Sequence, residues 1–547
     1  MKKLALGIVL SFAVAALSAC ADENDPATWA KRLGDQVHQT NAIERLSHFF
    51  EDAMSKSNNK LDSDEVKKVL DAAIEPMAKT YATATLDEKT RKVLIRSLGD
   101  MRDPRANVAY IKALGGYEAG KEDDAKAAAG AVKSWAVAGK PIDQGVKDAL
   151  WECFSKLQPS KSPNKGPIDE VHAAVLAVKD PSYGPKAIEK LGVKVTDPRD
   201  QLWQATALRL IKELKYGAAT DAVVKVLLNP AQGDLRGVAN SVLMNMPKEG
   251  EASLLKAIRK EGAFKDLVES YPDKLGTVVL ADSVSWISRP QAKEAILGLL
   301  AGASNDTEKT IFAQTLSRFV IDAKSTEAFV GGYKKITPGA RTAQGLGASL
   351  SRPALLQVAS LFFDSSLTPM ILKEIQASKG DESLEMQAYG LESAIKLMDK
   401  KQIKDVEKVM KKYWNANEQQ HFAAPSKLVE QCDTNVACYA KVLDEPLPPK
   451  NKAAELRATK ATWMVGVYGK ESDAKEILTR LDKRKEPGLR LLLVEVLDHL
   501  LPKGSNDAAA TLEKMVEADT KSGDKVLAAG NDAVVKVAQR LRARAMP

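Results

Sequence analysis

The chain has 547 residues and a formal net charge of +8 at pH 7, with 80 Lys or Arg residues against 72 Asp or Glu residues. It is too long for one ordinary compact core, yet it contains no long low-complexity linker that would divide it. Aromatic residues make up only 5% of the chain and are scattered along it. This argues against the stacking platforms of sugar sites and single-strand nucleic-acid sites. We therefore expect no nucleic-acid partner.

The N-terminus has the composition of an export signal followed by an acidic segment. Met1-Lys2-Lys3 is a short positive start, Leu4 to Leu17 is an uncharged apolar stretch, and acidic residues follow from Asp22. The apolar stretch is shorter than the roughly 20 residues that a transmembrane helix needs. The pattern therefore predicts a signal peptide rather than a permanent membrane span.

Cys20 stands at the border between the apolar stretch and the acidic segment. Leu17-Ser18-Ala19-Cys20 resembles the lipobox of bacterial lipoproteins. The resemblance implies that residues 1–19 are a signal peptide, that Cys20 is lipidated and becomes the first mature residue, and that residues 20–30 form an acidic tether. Ordinary secretion with cleavage after small residues and an uncleaved anchor are the alternatives.

The same resemblance implies a place in the bacterial cell envelope. Two or three acyl chains on one cysteine make attachment effectively permanent, whereas one chain binds a membrane only marginally. Ala21 follows Cys20, and the absence of an aspartate there favours the outer membrane, with the protein on the periplasmic side or at the cell surface. We therefore expect the chain to meet the membrane through this lipid anchor.

Residues 91–116 are predicted to form a helix, a tight turn and a second helix. Apolar residues recur at helical spacing on both sides of the turn: Val93, Leu94, Leu98, Val108, Ile111 and Leu114. Gly99 is expected to let the chain leave the first helix. Asp103 is a good N-cap, and Pro104 suits the first position of the second helix, where its missing N–H costs nothing.

The pattern recurs in two later segments, where apolar residues fall at offsets 0, 3, 4, 7, 8 and 11. These residues are Leu235, Val238, Ala239, Val242, Leu243 and Met246, and then Leu489, Leu492, Leu493, Val496, Leu497 and Leu500. A proline and then a polar turn with Gly250 or Gly504 are expected after them. Such spacing is typical of stacked helical hairpins that contact only their neighbours. We predict an all-α fold, an α-solenoid over residues 31–547.

Leu98-Gly99 followed by Asp103-Pro104-Arg105-Ala106 resembles the HEAT-like repeat of bacterial proteins, including phycobilisome-lyase-type modules. The resemblance is good over residues 91–116 and looser elsewhere. It implies a HEAT-like scaffold but no lyase activity, because nothing in the sequence marks a chromophore pocket. Tetratricopeptide repeats are the rival interpretation. Trp29 and Leu33-Gly34 come near the opening of that repeat, but their spacing is one residue too long.

Two proline-rich stretches interrupt the helical periodicity. They lie near residues 157–167 and 444–452, where the density of Pro and Gly excludes helix. We interpret both as long loops between helices rather than as linkers between domains.

The sequence contains no recognisable catalytic or cofactor site. Its five histidines are His38, His48, His172, His421 and His499. They do not pair at metal-ligand spacing, and there is no H-E-x-x-H. Gly345-Leu346-Gly347 lacks the third glycine and the preceding strand of a dinucleotide loop, and no G-x-S-x-G elbow occurs. We therefore expect no enzyme activity, no cofactor, and no catalytic or metal site.

Cys432 and Cys438 are predicted to form a disulfide, because a local pair in an export compartment is usually bonded. The alternative is free thiols or a metal-bound pair, with only His421 nearby. A helix across the six residues would separate the two Cα atoms by about 9 Å, beyond the roughly 4.4–6.8 Å of a disulfide. The chain must therefore turn, with one of residues 433–435 capping a helix over Val436–Leu443.

Together these features predict a membrane-tethered, non-enzymatic interaction scaffold of the bacterial cell envelope. Stacked hairpins present a row of helices as an extended concave surface, which suits a protein or peptide partner. The alternative is an accessory subunit of an envelope enzyme or transport system, with a ligand or catalytic site that the sequence does not reveal. A cleft with convergent polar groups would favour this alternative.

Overall fold

The computed structural model describes residues 22–118, 122–157, 168–196, 198–344, 347–448 and 450–547. Within these ranges the chain is an all-α helical-repeat protein with thirty α-helices and one two-stranded sheet. It divides into two compact units. Unit 1 extends to Tyr216, and unit 2 begins at Gly217 and ends at Pro547.

Unit 1 contains ten helices in its described residues, α1 to α10. They are α1 Pro26–Arg32, α2 Gln39–Lys56, α3 Asp64–Thr83, α4 Glu88–Met101, α5 Asn107–Gly115, α6 Glu122–Val137, α7 Gln144–Lys156, α8 Ile168–Val178, α9 Tyr183–Gly192 and α10 Pro198–Leu214. Helix α1 begins inside the segment 20–30 that was predicted as a tether. It does so because Asp25 is an N-cap whose carboxylate accepts from the N–H of Ala27, and Pro26 occupies the first helical position.

The helices of unit 1 form two layers. Helices α2, α4, α6, α8 and α10 pack against one another in succession, and so do α1, α3, α5 and α7. Helices that are neighbours in sequence pack across the layers, for example α5 on α6 and α7 on α8. Within each layer a helix therefore packs against the helix two places further along the chain, as in stacked helical hairpins. This confirms the predicted all-α solenoid class.

Two buried aromatic residues hold the hairpin of residues 91–116 to the next helix. Tyr110 on α5 donates its hydroxyl to the carbonyl oxygen of Leu98 at 2.6 Å, and Nε1–H of Trp135 on α6 donates to the carbonyl oxygen of Arg102 at 2.6 Å. Their rings meet edge to face with centroids 5.1 Å apart. Each polar tip therefore satisfies a carbonyl near the C-terminal end of α4, while the ring stays in the core.

Two details of this hairpin differ from the prediction. Helix α4 continues through Gly99 and ends before Arg102, which takes the left-handed conformation with φ 49°. Gly99 is instead needed for close packing, because a Cβ there would lie 3.0 Å from the carbonyl oxygen of Ala127 on α6. Val108 is 52% exposed. A 3₁₀ turn over Pro104–Ala106 precedes α5. Because a 3₁₀ turn has fewer residues than an α-helical turn, it changes which residues of α5 face the core, and the side chain of Val108 lies at the surface.

Unit 2 contains twenty helices in its described residues, α11 to α30, and a short antiparallel pair of strands. The helices before the strands are α11 Thr220–Leu227, α12 Arg236–Asn245, α13 Pro247–Ile258, α14 Phe264–Glu269, α15 Gly276–Ile287, α16 Pro290–Gly302, α17 Asp306–Leu316 and α18 Ala323–Lys334. The strands are β1 Arg341–Gln344 and β2 Gly347–Leu350, with Arg341 opposite Leu350. The expectation that no strand precedes Gly345 is wrong, because β1 ends at Gln344.

The remaining helices of unit 2 follow the strands. They are α19 Ser351–Ala359, α20 Thr368–Ala377, α21 Ser383–Leu397, α22 Ile403–Tyr413, α23 Ala416–Cys432, α24 Val436–Val442, α25 Lys452–Tyr468, α26 Ala474–Lys483, α27 Pro487–Leu500, α28 Asn506–Ser522, α29 Lys525–Ala528 and α30 Asn531–Ala545. The second predicted loop lies between α24 and α25. Residues 158–167 of the first lie outside the described residues.

The two later apolar repeats are helices, as predicted. Helix α12 covers most of the first repeat and α27 all of the second, and most of their apolar positions are buried. Gly250, however, is not in a turn. Helix α13 begins at Pro247 directly after α12, and a Cβ on Gly250 would lie 2.7 Å from the carbonyl oxygen of Leu243. Gly504 does occupy a turn, with φ 73°.

The last helix of unit 2 returns to the beginning of the same unit. Helices α13, α15, α17, α19, α21, α25 and α27 pack against one another in succession. Helix α30 then packs against α27 and α28, and also against α12 and α15. Unit 2 is therefore closed on itself. The prediction of repeats that contact only their neighbours is wrong here, because α30 buries its apolar face against helices from both ends of the unit.

Charged residues of α30 contribute to this closure. Arg540 and Arg544 both bind Asp498 on α27, with Nη2 of Arg540 2.8 Å from one carboxylate oxygen and Nη2 of Arg544 2.5 Å from the other. Arg289, just before α16, donates to the carbonyl oxygen of Ala543 at 2.8 Å. The closure therefore combines apolar packing with charged contacts between distant parts of the chain.

Candidate functional site

A groove of about 510 Å³ lies across α4, α6 and α8 of unit 1, and we call it the basic groove. Its charged lining residues are Lys92, Arg96, Asp100, Arg102, Asp123, Lys126, Lys133 and Glu170. Five of these are cations and three are carboxylates, so the lining has a formal excess of two positive charges. The groove therefore presents a surface for an anionic partner on successive helices of one layer.

Ion pairing divides the cations of the basic groove into two sets. Lys92 lies 3.4 Å from Asp123, and Lys133 lies 3.6 Å from Glu170, measured from Nζ to a carboxylate oxygen. The other three cations have no carboxylate oxygen within 4.0 Å in the part of the chain that the structure describes; they are Arg96, Arg102 and Lys126. All three are exposed. Burial raises the pKa of Asp100, and attraction to Arg102 and Arg96 acts in the opposite direction. Neither arginine is held in an ion pair, however, so carboxylates of another molecule can reach all three cations.

Small residues form the floor between these cations. They are Gly99, Ala127, Gly130 and Ala131. Helices α4 and α6 approach closely at this floor, since the position of a Cβ on Gly99 is only 3.0 Å from a backbone oxygen of α6. The main chain of a bound segment can therefore come close to the helices, while Arg96 and Lys126 reach outward to its side chains.

A buried network behind the groove fixes α3, α4 and α6 relative to one another. Asp124 on α6 is 1% exposed and accepts a hydrogen bond from the hydroxyl of Tyr81 on α3 at 2.6 Å. It also pairs with Arg91 on α4. Burial raises the pKa of Tyr81 to about 12, with Arg91 acting in the opposite direction, so the hydroxyl remains a donor at neutral pH. The groove is therefore organised before a partner binds.

The structure places Cys432 and Cys438 at disulfide distance, with their Cα atoms 5.4 Å apart. Helix α23 ends at Cys432, and Asp433 turns the chain with φ 51°. The side chain of Asn435 accepts a hydrogen bond from the N–H of Cys438 at 3.1 Å and caps α24, Val436–Val442. The chain turns between the two cysteines, as the predicted disulfide requires.

Neither the other residues singled out in the sequence nor the remaining cysteine, Cys153, joins these features. Cys20 and the signal peptide of residues 1–19 lie outside the described residues. Cys153 is a buried free thiol whose pKa is raised to about 12 by burial, so it stays protonated and unreactive at neutral pH. His499 stacks on Phe363 with ring centroids 4.8 Å apart, and burial lowers its pKa. Within the described ranges there is no cluster of His, Cys, Asp and Glu that could hold a metal ion, and no helix long and apolar enough to cross a membrane.

No protein-family model matches the chain, and no curated protein sequence matches it. Among solved structures the chain is similar to SYS-1, whose crystal structure was determined at 2.6 Å resolution, with 11% sequence identity and a TM-score of 0.28. The similarity covers 94% of this chain and 99% of that one. A TM-score this low supports no statement about fold or function. The fold class rests on the helices and their packing described above.

The basic groove could not be predicted from sequence because its residues come from separate helices. Lys92 and Arg96 recur at helical spacing on α4, and Lys126 and Lys133 do so on α6. Each stripe alone resembles an ordinary solvated helix face. The signal that could have found the groove is Gly99 on α4, because a glycine inside a helix often marks a close approach of another element, and a Cβ there would lie 3.0 Å from the carbonyl oxygen of Ala127 on α6.

Proposed function

We propose that the protein is a membrane-tethered, non-enzymatic interaction scaffold of the bacterial cell envelope, and that its basic groove binds an acidic segment of a partner protein. The observation that carries the proposal is the set of three cations without carboxylate partners in the described chain, Arg96, Arg102 and Lys126, beside a floor of small residues. Carboxylates on a bound segment would pair with these cations, and the floor would admit its main chain.

Lipidation of Cys20 is the proposed link to the membrane. Helix α1 begins at Pro26, so five residues, 21–25, would separate the lipidated cysteine from the first helix. Even fully extended, the chain from Cys20 to Pro26 spans at most about 20 Å. Such a short tether would keep unit 1 close to the lipid surface, where it would meet partners anchored in the same membrane.

Fluorescence anisotropy with a labelled glutamate-rich peptide tests the groove. We expect the purified protein to bind this peptide, and a lysine-rich peptide of the same length not to bind. Binding should weaken as salt is added, because the cations are exposed and their interactions are screened. Replacing both Arg96→Glu and Lys126→Glu should weaken binding about tenfold or more, since each reversal replaces an attraction with a repulsion.

Lys112 on α5 supplies the matched control. It is exposed, lies outside the groove, and has no carboxylate oxygen within 4.0 Å among the described residues. Lys112→Glu lowers the net charge of the protein by two, as Arg96→Glu or Lys126→Glu does alone, so it is compared with each single groove reversal; it should leave peptide binding unchanged. Equal weakening by Lys112→Glu, or equal binding of the lysine-rich peptide, would show that only the overall charge attracts the peptide.

A second candidate function is an accessory subunit of an envelope enzyme or transport system. One observation favours it, namely a cleft of about 510 Å³ in unit 2 between α21, α23 and α25, whose lining includes Trp414 and Trp463. Such a cleft is the kind of site that takes a small molecule.

A further inference from the structure

A short segment of unit 2, at and just before α22, holds a large share of the net charge of the chain. Residues 400–412 contain six lysines, one aspartate and one glutamate, which gives a formal charge of +4, while the whole chain carries +8. The segment contains no arginine and no histidine. A few turns of chain therefore carry a charge equal to half of the net charge of the protein.

Helical periodicity places four of these lysines on one face of α22, and we call it the lysine face: Lys404, Lys408, Lys411 and Lys412. At about 100° per residue they fall within an arc of roughly 100°, and all four are exposed. Asp405 lies at the edge of this arc. The apolar residues of α22 are buried on the other side, where the helix packs against α20, α21 and α23.

Most of the cations at the lysine face are unpaired. Nζ of Lys411 lies 2.6 Å from a carboxylate oxygen of Glu407. The other three lysines of the face have no carboxylate oxygen within 4.0 Å among the described residues, and neither has Lys401, which is exposed in the turn before α22. Four cations therefore stand together at the surface of unit 2 without a counter-ion from the described chain.

The turn before α22 fixes the orientation of the lysine face. The carboxylate of Asp399 accepts from the N–H of Lys401 at 2.9 Å and from the N–H of Gln402 at 3.1 Å. The side chain of Gln402 donates to the carbonyl oxygen of Ser365, just before α20, at 2.9 Å. The beginning of α22 is thus tied to the neighbouring helix, and the lysines share one direction before any partner binds.

The chemistry of the lysine face suits an anionic lipid surface better than the carboxylates of a protein. Lysine is a hydrated point charge on a flexible stem, whereas recognition of individual carboxylates favours the planar fork of arginine. A basic face on an amphipathic helix is typical of contact with a membrane surface. Each lysine near an anionic bilayer contributes about fivefold to binding, so four unpaired lysines contribute roughly several-hundredfold.

We propose that the lysine face docks unit 2 on the anionic phospholipid headgroups of a membrane. The ammonium groups lie against the lipid phosphates, while the buried side of α22 stays in the core of unit 2. This contact is separate from lipidation of Cys20 and from the basic groove. The groove variant with Arg96→Glu and Lys126→Glu therefore docks as the unmodified protein does.

Acetylation footprinting of the full chain on vesicles tests this docking. The protein is mixed with vesicles of phosphatidylcholine alone or of equal parts phosphatidylcholine and phosphatidylglycerol, and the acetylation rate of each lysine is measured by mass spectrometry. We expect Lys404, Lys408 and Lys412 to react more slowly on the anionic vesicles than on the neutral ones. Added salt should restore their rates, because it screens exposed charges. A lipid anchor enters both kinds of vesicle, so the comparison isolates the lysine face.

Two double variants locate the contact. Lys404→Gln with Lys408→Gln removes two of the four unpaired cations and should weaken docking about 25-fold, measured as loss of protection at Lys412. Lys334→Gln with Lys514→Gln removes the same charge from α18 and α28, where both lysines are exposed and lack a carboxylate partner among the described residues. This control should leave the protection of Lys412 unchanged.

Four results would overturn the proposal. They are equal acetylation of the lysine face on the two kinds of vesicle, equal slowing at Lys334 and Lys514, equal loss of protection in the two double variants, or equal slowing of the lysine face by a glutamate-rich peptide free in solution. The last result would assign the lysine face to an acidic protein partner instead.

Discussion

Replacing Asp498 with Asn should open the closure of unit 2. Asp498 is the shared carboxylate of two arginines on α30, at 2.8 Å from Arg540 and 2.5 Å from Arg544. The three side chains are only 9%, 3% and 3% exposed. Asn keeps the shape of Asp but removes its charge, so two buried guanidinium groups lose a counter-ion. Breaking a buried ion pair by removing one partner costs roughly 3–5 kcal/mol.

The lower end of that range applies, because both arginines keep other partners. Arg540 retains Glu495 at 3.2 Å. Arg544 retains the hydroxyl of Ser288 at 3.2 Å and the carbonyl oxygen of Leu501 at 3.3 Å. We therefore expect the free energy of docking of α30 to fall by about 3 kcal/mol, which makes its opening roughly a hundredfold more frequent.

Hydrogen exchange followed by mass spectrometry measures this opening. Peptides from Asn531–Ala545 should exchange about a hundredfold faster in Asp498→Asn, while peptides from unit 1 keep their rates. Glu517→Gln is the control, because it removes an exposed pair with Lys521 on α28 and should cost less than about 0.5 kcal/mol. Unchanged exchange in α30, or an equal change in the control, would refute the reasoning.

Three further predictions concern the anchor, the cysteine pair and pH. Cys20→Ala should abolish labelling by a palmitate analogue, and equal label on both proteins would contradict lipidation. Cys432→Ser should loosen the turn between α23 and α24 by about 2 kcal/mol on the chain-entropy estimate; two free thiols in the unreduced protein, found by mass spectrometry, would exclude the disulfide. Asp322→Ala should destabilise unit 2 at neutral pH and much less near pH 2. Burial acts to raise the pKa of Asp322, but hydrogen bonds from Lys293 and Ser325 outweigh it and hold the pKa at about 2. The stabilisation is therefore present above about pH 4 and is lost as the pH falls toward 2. Urea unfolding at several pH values would show this, and a stability difference independent of pH would contradict it.

The helices could be predicted where apolar periodicity and cap residues agree. Asp103 and Pro104 do start the turn before α5, and the apolar stripe from Leu489 lies on one helix. Gly99 and Gly250 were assigned wrongly, because the missing Cβ of glycine serves two purposes. It permits a left-handed turn, and it also permits close contact between helices. Which purpose applies depends on the neighbouring helix, and a single sequence does not show that helix.

The closure of unit 2 and its cleft could not be predicted for a related reason. Arg540 and Arg544 have the same sequence context as exposed arginines on any amphipathic helix, and their burial depends on helices far away in the chain. The scatter of the tryptophans along the sequence argues against stacking platforms for sugars and single-stranded nucleic acid, and this stays a prediction. Trp414 and Trp463 are nevertheless brought together by the packing of α21, α23 and α25.

The most direct test of the proposed scaffold function is zero-length carbodiimide cross-linking in membranes of cells that make the protein. This reagent joins a lysine amine only to a carboxylate that it contacts. Lys126 in the basic groove and Lys112 on α5 are both exposed and both lack a carboxylate partner among the described residues. Lys112 is therefore an internal control for cross-linking of Lys126 in the same sample. The proposal predicts an amide link between Lys126 and Asp or Glu side chains of one other protein, and no such link at Lys112. Absence of any intermolecular link at Lys126, or equally frequent links at Lys112, would contradict it.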